Sequence, residues 1–271
     1  MKLAIGFFGN LGWHEINGRR KELGLDNVKN SMHLLRSRVQ DVQFFGHNWR
    51  SEHSDGLESL KFASLVVEDQ RVFTWHGHSH YSIGNKRKYE RYLSRRFNSA
   101  AEVETYACRS KSRWYSTNEV LNLIESYEIN KNVKFDYILL LRYDTKITPS
   151  FELNYGKDFC FGDSSCFTDY PNRQFLRKIL SQLRILRIYS VQPSLLKAAL
   201  FWRNYYHISD TWFLLNKRGA TAIRSLYSSH ESFHCSPHIA VNEMITKFEL
   251  SFEIYNEQGL DYNLVRFDDL K

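Results

Sequence analysis

The chain has 271 residues, of which 42% are hydrophobic and 15% aromatic, so it holds enough apolar side chains for a substantial core, and general disorder is excluded. No apolar run reaches the length of a membrane span, and the first ten residues predict a strand rather than a signal peptide. We therefore expect a soluble, intracellular protein, and the formal net charge of +7 predicts an anionic partner.

The first 50 residues alternate between strand and helix patterns. Residues 2–9, KLAIGFFG, predict a strand followed by a glycine-containing turn, and residues 42–49, VQFFGHNW, predict a second strand. Between them, residues 26–39 have helical spacing with Asp26 as the expected cap. This β-α-β alternation predicts an α/β fold with a mostly parallel sheet flanked by helices.

The alternation continues in the next 80 residues. Residues 57–65 are helix-like, residues 70–75 are strand-like, and residues 85–97 predict a polar, basic helix. A further helix is expected to begin at Ser116, because Ser116 and Glu119 form the Ser-x-x-Glu pattern of a capping box.

Three histidines at alternating positions, His76, His78 and His80, stand between these elements. On a strand they would align on one face, as in some three-histidine metal sites. The alternative is a solvated or phosphate-facing histidine cluster in a loop. The four cysteines form no Cys-x-x-Cys pair, which argues against a structural zinc site and a disulfide framework.

The stretch FDYILLLRYDTKI, residues 135–147, places a cation and a carboxylate at the end of an apolar strand. Arg142 and Asp144 are two residues apart and are expected to project to the same side. Parallel sheets bind ligands outside the carboxyl ends of their strands, so this pair is a candidate site. The alternative is a structural salt bridge or a turn-capping aspartate.

The second half of the chain begins with a loop-rich passage and then becomes strongly basic. Between Tyr170 and Ser209 there is no acidic residue, while seven cations are present: Arg173, Arg177, Lys178, Arg184, Arg187, Lys197 and Arg203. Helical spacing puts arginines and apolar residues of this segment on opposite sides, which predicts a basic amphipathic helix. Its apolar face either packs on the protein's own core or lies against a membrane surface.

The last third returns to strand and helix patterns. A strand carrying Asp210 and Trp212 precedes a helix, and a second helix carries Glu243 near its middle. The G-x-G-x-x-G fingerprint, the phosphate-loop motif and the usual hydrolase and protease motifs are missing from the sequence.

Taken in order, four stretches resemble the GT-A-type bacterial glycosyltransferases that build capsule, O-antigen and lipooligosaccharide chains. These stretches are KLAIGFFGNLGW, QDVQFFGHNW, FDYILLLRYDTKI and HISDTWFLLN, followed by the helix PHIAVNEMITKF. The resemblance covers most of residues 1–255, with the basic segment 170–205 outside it. It implies a GT-A-like, Rossmann-type sheet with a basic helical insertion, in a single glycosyltransferase domain.

The resemblance also implies roles for particular residues. Residues 1–150 would bind a nucleotide-sugar donor and residues 151–271 a saccharide or lipid-linked acceptor. The implied donor-binding residues are Gly9, Asn10, His47, Trp49, Arg142 and Asp144. For His47 and Trp49 the alternative is a purely structural pair, a buried Trp beside a satisfied His.

Asp144 stands where related enzymes have an Asp-x-Asp motif that holds a divalent cation, Mg²⁺ or Mn²⁺. Here Arg142 replaces the first aspartate and Lys146 follows, so cations of the protein itself would take over part of the charge neutralisation. Asp210 is the preferred general base and Glu243 the second choice, with Trp212 beside the acceptor. A retaining enzyme would need neither carboxylate as a base.

Two other functions are compatible with parts of the sequence. A basic module that binds nucleic acid would explain the sequence pI of about 9.1 and the many aromatic residues, but not a charged pair at a strand end. A sulfotransferase would also bind an anionic donor, but the phosphate-loop signature is missing. For a transferase acting on lipid-linked acceptors, we expect a cytoplasmic protein at the inner face of the membrane, with the basic helix on anionic lipid and no nucleic-acid partner.

Overall fold

The computed structural model describes residues 1–11, 14–16, 19–21, 23–51, 54–75, 99–163, 208–257 and 261–264. Three regions singled out in the sequence lie outside these residues. They are the histidine triplet at positions 76, 78 and 80, the predicted basic helix 85–97, and the basic segment from 170 to 205.

A seven-stranded sheet forms the centre of the structure. Its strands, in chain order, are β1 (Lys2–Gly9), β4 (Asp41–Trp49), β5 (Ser64–Glu68), β6 (Tyr137–Arg142), β8 (Phe159–Asp163), β9 (Ile208–Leu215) and β10 (Phe252–Glu257). Two short pairs lie outside it, β2 (His14–Ile16) with β3 (Arg19–Lys21) and β7 (Thr145–Ile147) with β11 (Tyr262–Leu264). The strand order in the large sheet is β10-β8-β9-β6-β1-β4-β5.

The order of the strands reverses between β1 and β6. From β1 the chain moves outward through β4 to β5, and then crosses back to place β6 on the other side of β1. Among the described strands of this sheet, β9 alone runs antiparallel to its neighbours. The predicted class, an α/β fold with a mostly parallel sheet, is therefore confirmed. A reversal of this kind opens a crevice at the carboxyl ends of the two strands.

Helices cover both faces of the sheet. They are α1 (Leu23–Arg38), α2 (Asp55–Glu58), α3 (Ala100–Lys131), α4 (Lys217–Ser228) and α5 (Pro237–Lys247). One apolar core joins α3, α4 and α5 to the sheet, and a second joins α1 to the opposite face. None of the described helices has the length and hydrophobicity of a membrane span.

Strand predictions in the first half were partly right. The strands predicted at residues 2–9 and 42–49 are β1 and β4, and a helix with the predicted 26–39 pattern is α1. The strand predicted at residues 70–75 is wrong, because the edge strand β5 ends at Glu68. The helix predicted over residues 57–65 is also wrong after Glu58, where α2 ends, because Ser64 and Leu65 begin β5.

The helix expected to begin at Ser116 begins sixteen residues earlier, at Ala100. Its cap is Ser99, whose side chain accepts a hydrogen bond from the backbone N–H of Glu102, so the Ser-x-x-Glu signature that acts is residues 99–102. Ser116 lies in the middle of α3 and is fully buried. Residues 99–119 contain two such signatures, and tertiary contacts give the second one another role.

Gly6 determines how closely α3 approaches the sheet. A Cβ atom at this position would lie 2.2 Å from Cγ1 of Val120 on α3 and 3.0 Å from Cδ2 of Leu140 on β6. Contacts below 3 Å are not sustained in a packed interior, so a side chain at residue 6 would push the helix from the strand.

We predict that Gly6→Ala lowers the free energy of unfolding by about 1–3 kcal/mol, because the added methyl group overpacks this interface. Urea denaturation of Gly6→Ala, Val120→Ala and the double variant measures the coupling between the two positions. The double variant is expected to be more stable than the sum of the single effects, since Val120→Ala removes the clashing methyl groups. Additive losses would contradict the proposed contact.

Candidate functional site

A cavity of about 1130 Å³ opens at the carboxyl ends of β1, β4 and β6, where the strand order reverses. Its described lining contains four arginines and two carboxylates: Arg71, Arg109, Arg113, Arg142, Glu104 and Asp144. Cations therefore outnumber anions among the described residues of its walls. Gly9, Asn10 and Trp49 line it as well, so five of the six predicted donor-binding residues meet at one cavity.

The end of β6 carries the charged pair that the sequence indicated. The Arg142 guanidinium donates to the Asp144 carboxylate, and the two side chains are 26% and 23% exposed. Tyr143 between them turns to the opposite side, where its ring is buried and stacks on Phe7 at 5.8 Å between centroids. Because Tyr143 anchors the turn in the α1-side core, its two neighbours are presented to the cavity.

A second arginine reaches the same rim from α3. The guanidinium carbon of Arg113 lies 5.5 Å from the Phe8 ring centroid and 5.0 Å from that of Trp114. Phe8 is the register partner of Arg142 in the pairing of β1 with β6. The Phe8 ring thus has a guanidinium above it and Arg142 on the adjacent strand, which concentrates positive charge at the reversal point.

His47 is not among the described lining residues and is fully buried. Its Nε2 is 2.9 Å from Oε1 of Glu68, and its Nδ1 is 2.8 Å from Oγ of Ser116. A carboxylate can only accept, so Nε2 carries the proton, and Ser116 donates to Nδ1 of the neutral ring. Ser116 Oγ in turn accepts the Gly9 backbone N–H at 2.8 Å.

This chain of hydrogen bonds connects the carboxyl ends of β5, β4 and β1 to the middle of α3. Gly9 has φ of +100°, a left-handed conformation that glycine adopts without strain. Serine, histidine and glutamate are linked as in a hydrolytic triad, but Ser116 is 0% exposed and its oxygen is occupied. The network therefore positions the Gly9 turn rather than attacking a substrate.

Arg71 extends the network to the cavity wall. Its Nη2 is 2.9 Å from Oε2 of Glu68, and its guanidinium carbon lies 4.6 Å from the centre of the Tyr115 ring. Tyr115 stacks on Trp49 at 5.4 Å. Trp49 is only 4% exposed, so it forms the floor of the cavity, and Phe73 beside it is half-buried.

The charges of this network are held in fixed protonation states. Burial acts to raise the pKa of Glu68, but hydrogen bonds from His47, Arg71 and Tyr115 outweigh it and lower the pKa to about 2. Burial lowers the pKa of His47, although the Glu68 carboxylate acts in the opposite direction. At neutral pH the pair is thus a carboxylate beside a neutral imidazole.

Three predicted residues of the acceptor and catalytic set have different positions. Trp212 is 0% exposed and packs against Phe151 and Tyr262 in the α1-side core, so its prediction as an acceptor contact is corrected. Glu243 is half-buried on α5, where its Oε2 accepts the backbone N–H of His234 at 2.8 Å, and it is not among the described lining residues. Asp210 belongs to β9, but its side chain lies outside the described residues.

The described residues do not fit a hard divalent cation. Asp144 is the carboxylate at the end of β6, and its oxygen Oδ2 accepts from Arg142. Within the described ranges no group of three His, Cys, Asp or Glu side chains is arranged to hold a metal ion. Mg²⁺ and Mn²⁺ need several oxygen ligands, and the single carboxylate at this turn, Asp144, is already bound to a guanidinium.

Sequence reasoning missed the contribution of α3 and β5 to the site. Arg71, Arg109, Arg113, Glu68 and Ser116 were not singled out as site residues. One signal was available, since no glycine or proline occurs between Ser99 and Thr148, and Arg109 and Arg113 are four residues apart. A continuous helix from Ser99 through Arg113 would have placed both arginines on one face.

The chain matches no protein-family model and no curated protein. Solved structures are similar in shape, including 4-diphosphocytidyl-2C-methyl-D-erythritol synthase from Anaerococcus prevotii, with a TM-score of 0.47 and 10% identity over 98% of this chain and 93% of that one. The glycosyltransferase GlyE of Streptococcus pneumoniae has a TM-score of 0.37 and 11% identity over 94% of this chain, which spans only 45% of GlyE. A protein assigned as a nucleotide-diphospho-sugar transferase from Desulfovibrio desulfuricans has a TM-score of 0.39 and 8% identity, with 94% and 80% of the two chains covered. At these identities the likenesses concern the fold alone.

The pKa shifts of Glu68 and His47 predict lower stability in acid. The pKa of Glu68 is about 2 in the folded chain, against an ordinary value of 4.5, so its stabilisation is complete above pH 4.5 and is lost as the pH falls toward 2. The lowered pKa of His47 has the same sign, because below its ordinary 6.5 the unfolded chain binds the proton more readily.

We therefore expect Glu68→Gln to lower the free energy of unfolding by about 1–3 kcal/mol at pH 7. Between pH 4.5 and 3, the free energy of unfolding of this variant should fall less steeply than that of the wild type. Urea denaturation at a series of pH values measures both effects. Asp69→Asn is the matched control, since the adjacent Asp69 side chain is 90% exposed and pairs only with Arg50 among the contacts described. A Glu68→Gln variant with the wild-type pH dependence would contradict the network.

Proposed function

We propose that this chain is a glycosyltransferase that moves a sugar from a nucleotide-sugar donor to a saccharide or lipid-linked saccharide acceptor in cell-surface polysaccharide synthesis. The observation that carries the proposal is the arginine-rich cavity at the reversal point between β1 and β6, with the Arg142–Asp144 pair at its rim. Crevices at this position of an open α/β sheet are where such folds bind nucleotides.

The proposed donor lies across the ends of β1, β4 and β6. Gly9, Asn10 and Trp49 face the nucleoside part, and the half-buried Phe73 offers an aromatic surface for the base. The diphosphate lies at Arg142 and Arg113. Breaking the bond between sugar and phosphate adds negative charge to the diphosphate, and guanidinium groups fixed beforehand stabilise that charge.

The proposed role of Asp144 is to hold the Arg142 guanidinium in place. A nucleotide-sugar reaction of this kind is often assisted by Mg²⁺ or Mn²⁺, but the described residues do not fit such an ion, and we assign charge neutralisation to arginine. A bidentate guanidinium matches phosphate oxygens in geometry as well as charge.

Asp210 is the proposed base that takes the proton of the acceptor hydroxyl. Trp212 is the register partner of Leu141, so Asp210, two residues earlier on the antiparallel strand β9, lies at the same sheet edge as the end of β6. General base catalysis contributes about 10²- to 10⁴-fold in rate. Glu243 is less suited, because its carboxylate holds the His234 backbone.

A basic module that binds nucleic acid is the second candidate function, favoured by the cationic excess of the cavity and of the whole chain. Nucleic acid requires an open groove that follows a phosphate backbone, with affinity that falls steeply with salt. The cavity here is bounded by α3 on one side, which favours a small anionic ligand.

We expect a nucleoside diphosphate to raise the melting temperature of the protein. A ligand at 100 times its dissociation constant adds about 2.7 kcal/mol to the free energy of unfolding. A panel of UDP, CDP, GDP, ADP and dTDP with their sugar conjugates identifies the nucleotide. Arg142→Gln should weaken its binding about 10-fold or more, because a charge-assisted hydrogen bond is lost. Arg36→Gln is the control, since Arg36 lies over Phe44 outside the described cavity lining.

The same assay separates the two candidate functions. Stabilisation by nucleotides but not by oligonucleotides at 150 mM salt supports the transferase. If oligonucleotides stabilise the protein while no nucleotide or sugar nucleotide does, the transferase proposal fails.

Membrane attachment is a further part of the proposal and rests on the sequence between residues 170 and 205. Its cations contribute about 1 kcal/mol each near an anionic surface. We predict that replacing Arg177, Arg184 and Arg187 by Glu reduces co-sedimentation with vesicles of anionic phospholipid, with neutral vesicles as the control. Unchanged co-sedimentation would rule against docking through this segment.

A further inference from the structure

Half of helix α3 extends beyond the carboxyl edge of the sheet. Ser116 lies at that edge, because its hydroxyl binds Gly9 and His47. Near the carboxyl end of the helix, the Glu128 carboxylate accepts the backbone N–H of Phe135, two residues before β6. The stretch Ala100–Tyr115 thus overhangs the sheet by about 24 Å of helix at 1.5 Å per residue. We call this stretch the α3 overhang.

The overhang is held firmly from one side. Val103 and Ala107 pack with Trp75 and Cys235 in a small buried cluster, in which Ala107 and Cys235 have no exposed surface. On the same helix, Ser112 Oγ accepts from Gln70 at 3.0 Å, and Lys111 donates to the Thr74 carbonyl at 3.0 Å. An anchored helix keeps its other face in a fixed position.

That other face is polar and forms a wall of the cavity. It carries Glu104, Thr105, Arg109 and Arg113, of which Thr105, Arg109 and Arg113 follow one another at the four-residue spacing of one helix face. Arg113 lies beside Phe8 at the sheet edge, within the proposed diphosphate region. Arg109 is one turn further out, about 6 Å along the helix axis.

Arg109 differs from the other cavity arginines in its contacts. Arg142 is bound to Asp144 and Arg71 to Glu68, whereas Arg109 is exposed and makes no hydrogen bond or ion pair with another described residue. The cavity of about 1130 Å³ also exceeds the range of about 300–1,000 Å³ that is usual for one small ligand. There is space and unneutralised charge beyond the diphosphate region.

We propose that the α3 overhang is the acceptor-side wall of the cavity and that Arg109 binds an anionic group of the acceptor, a phosphate or a carboxylate. This inference rests on the proposed function, because it assigns the second substrate of that reaction. Thr105, one turn further out, supplies a hydroxyl group, and Glu104 accepts from sugar hydroxyls while it repels a second anion. The acceptor class is therefore a saccharide with one acidic or phosphorylated position near the hydroxyl that reacts.

The test uses the full chain saturated with the nucleoside diphosphate that stabilises it most. Methyl phosphate, glucuronate and neutral glucose are then titrated and followed by NMR line shifts, and the tighter of the two anions identifies the acidic group. We expect Arg109→Gln to weaken anion binding at least 5-fold while nucleotide affinity stays unchanged, and Arg109→Lys to retain most of the binding. Lys131→Gln, at the opposite end of the same helix, is the matched control.

The outcomes separate the two proposals. Anion binding that is equal in Arg109→Gln and wild type overturns the anion subsite, as does an equal loss of nucleotide affinity in Arg109→Gln, which would place Arg109 in the donor site. If no nucleoside diphosphate binds to any variant, the transferase proposal fails, and with it the acceptor assignment. Arg109 is exposed, so the variants are expected to fold, and their unchanged melting temperatures verify this.

Discussion

The hydroxyl of Ser116 is the contact on which the arrangement of the site depends. It lies in the middle of α3, accepts the Gly9 N–H and donates to a buried histidine, so one side chain ties a helix to the ends of two strands. Buried polar groups are costly unless satisfied, and each member of this chain has its partner. The same contact divides α3 into a half that covers the sheet and a half that overhangs it.

Close packing makes this division possible. Gly6 removes a side chain from β1 where Val120 approaches, and the helix lies directly on the strand. A bulkier residue at position 6 would clash with Val120, one turn after Ser116 on the same helix. The Gly9 turn at the end of β1 and the cavity wall formed by α3 therefore meet across one closely packed interface.

The charged pair at the end of β6 contributes little to folding stability, which is compatible with the binding role proposed for it. Partly exposed ion pairs contribute little to folding, commonly 0–1 kcal/mol. Arg142 and Asp144 follow three fully buried leucines and are separated by Tyr143, which is buried on the opposite face. An apolar strand holds the backbone rigid, and the alternation of sides presents both charges to the cavity, where a fixed guanidinium is useful to an anionic ligand.

Arginine side chains stand at separate positions along the described wall of the cavity. Arg113 and Arg142 meet at the reversal point between β1 and β6, and Arg109 stands one helical turn away. Cations fixed at separate positions on a rigid wall attract anionic ligands to different parts of one space. In the proposed reaction these parts correspond to donor and acceptor, with the antiparallel strand β9 bringing Asp210 to the edge they share.

The sequence by itself determined the strands β1 and β4, the mostly parallel α/β class and the placement of Arg142 and Asp144 together at a strand end, because these follow from local periodicity and from residues close together in the chain. It misplaced the start of α3, the function of Ser116 and the position of Trp212, because the local sequence predicts a helix cap at Ser116 and the family resemblance implies an acceptor contact at Trp212. Only the tertiary structure decided these points. Hydrogen bonds between residues as far apart as Gly9 and Ser116, and the packing of Trp212 against Phe151 and Tyr262, depend on how distant segments meet, which local pattern does not encode.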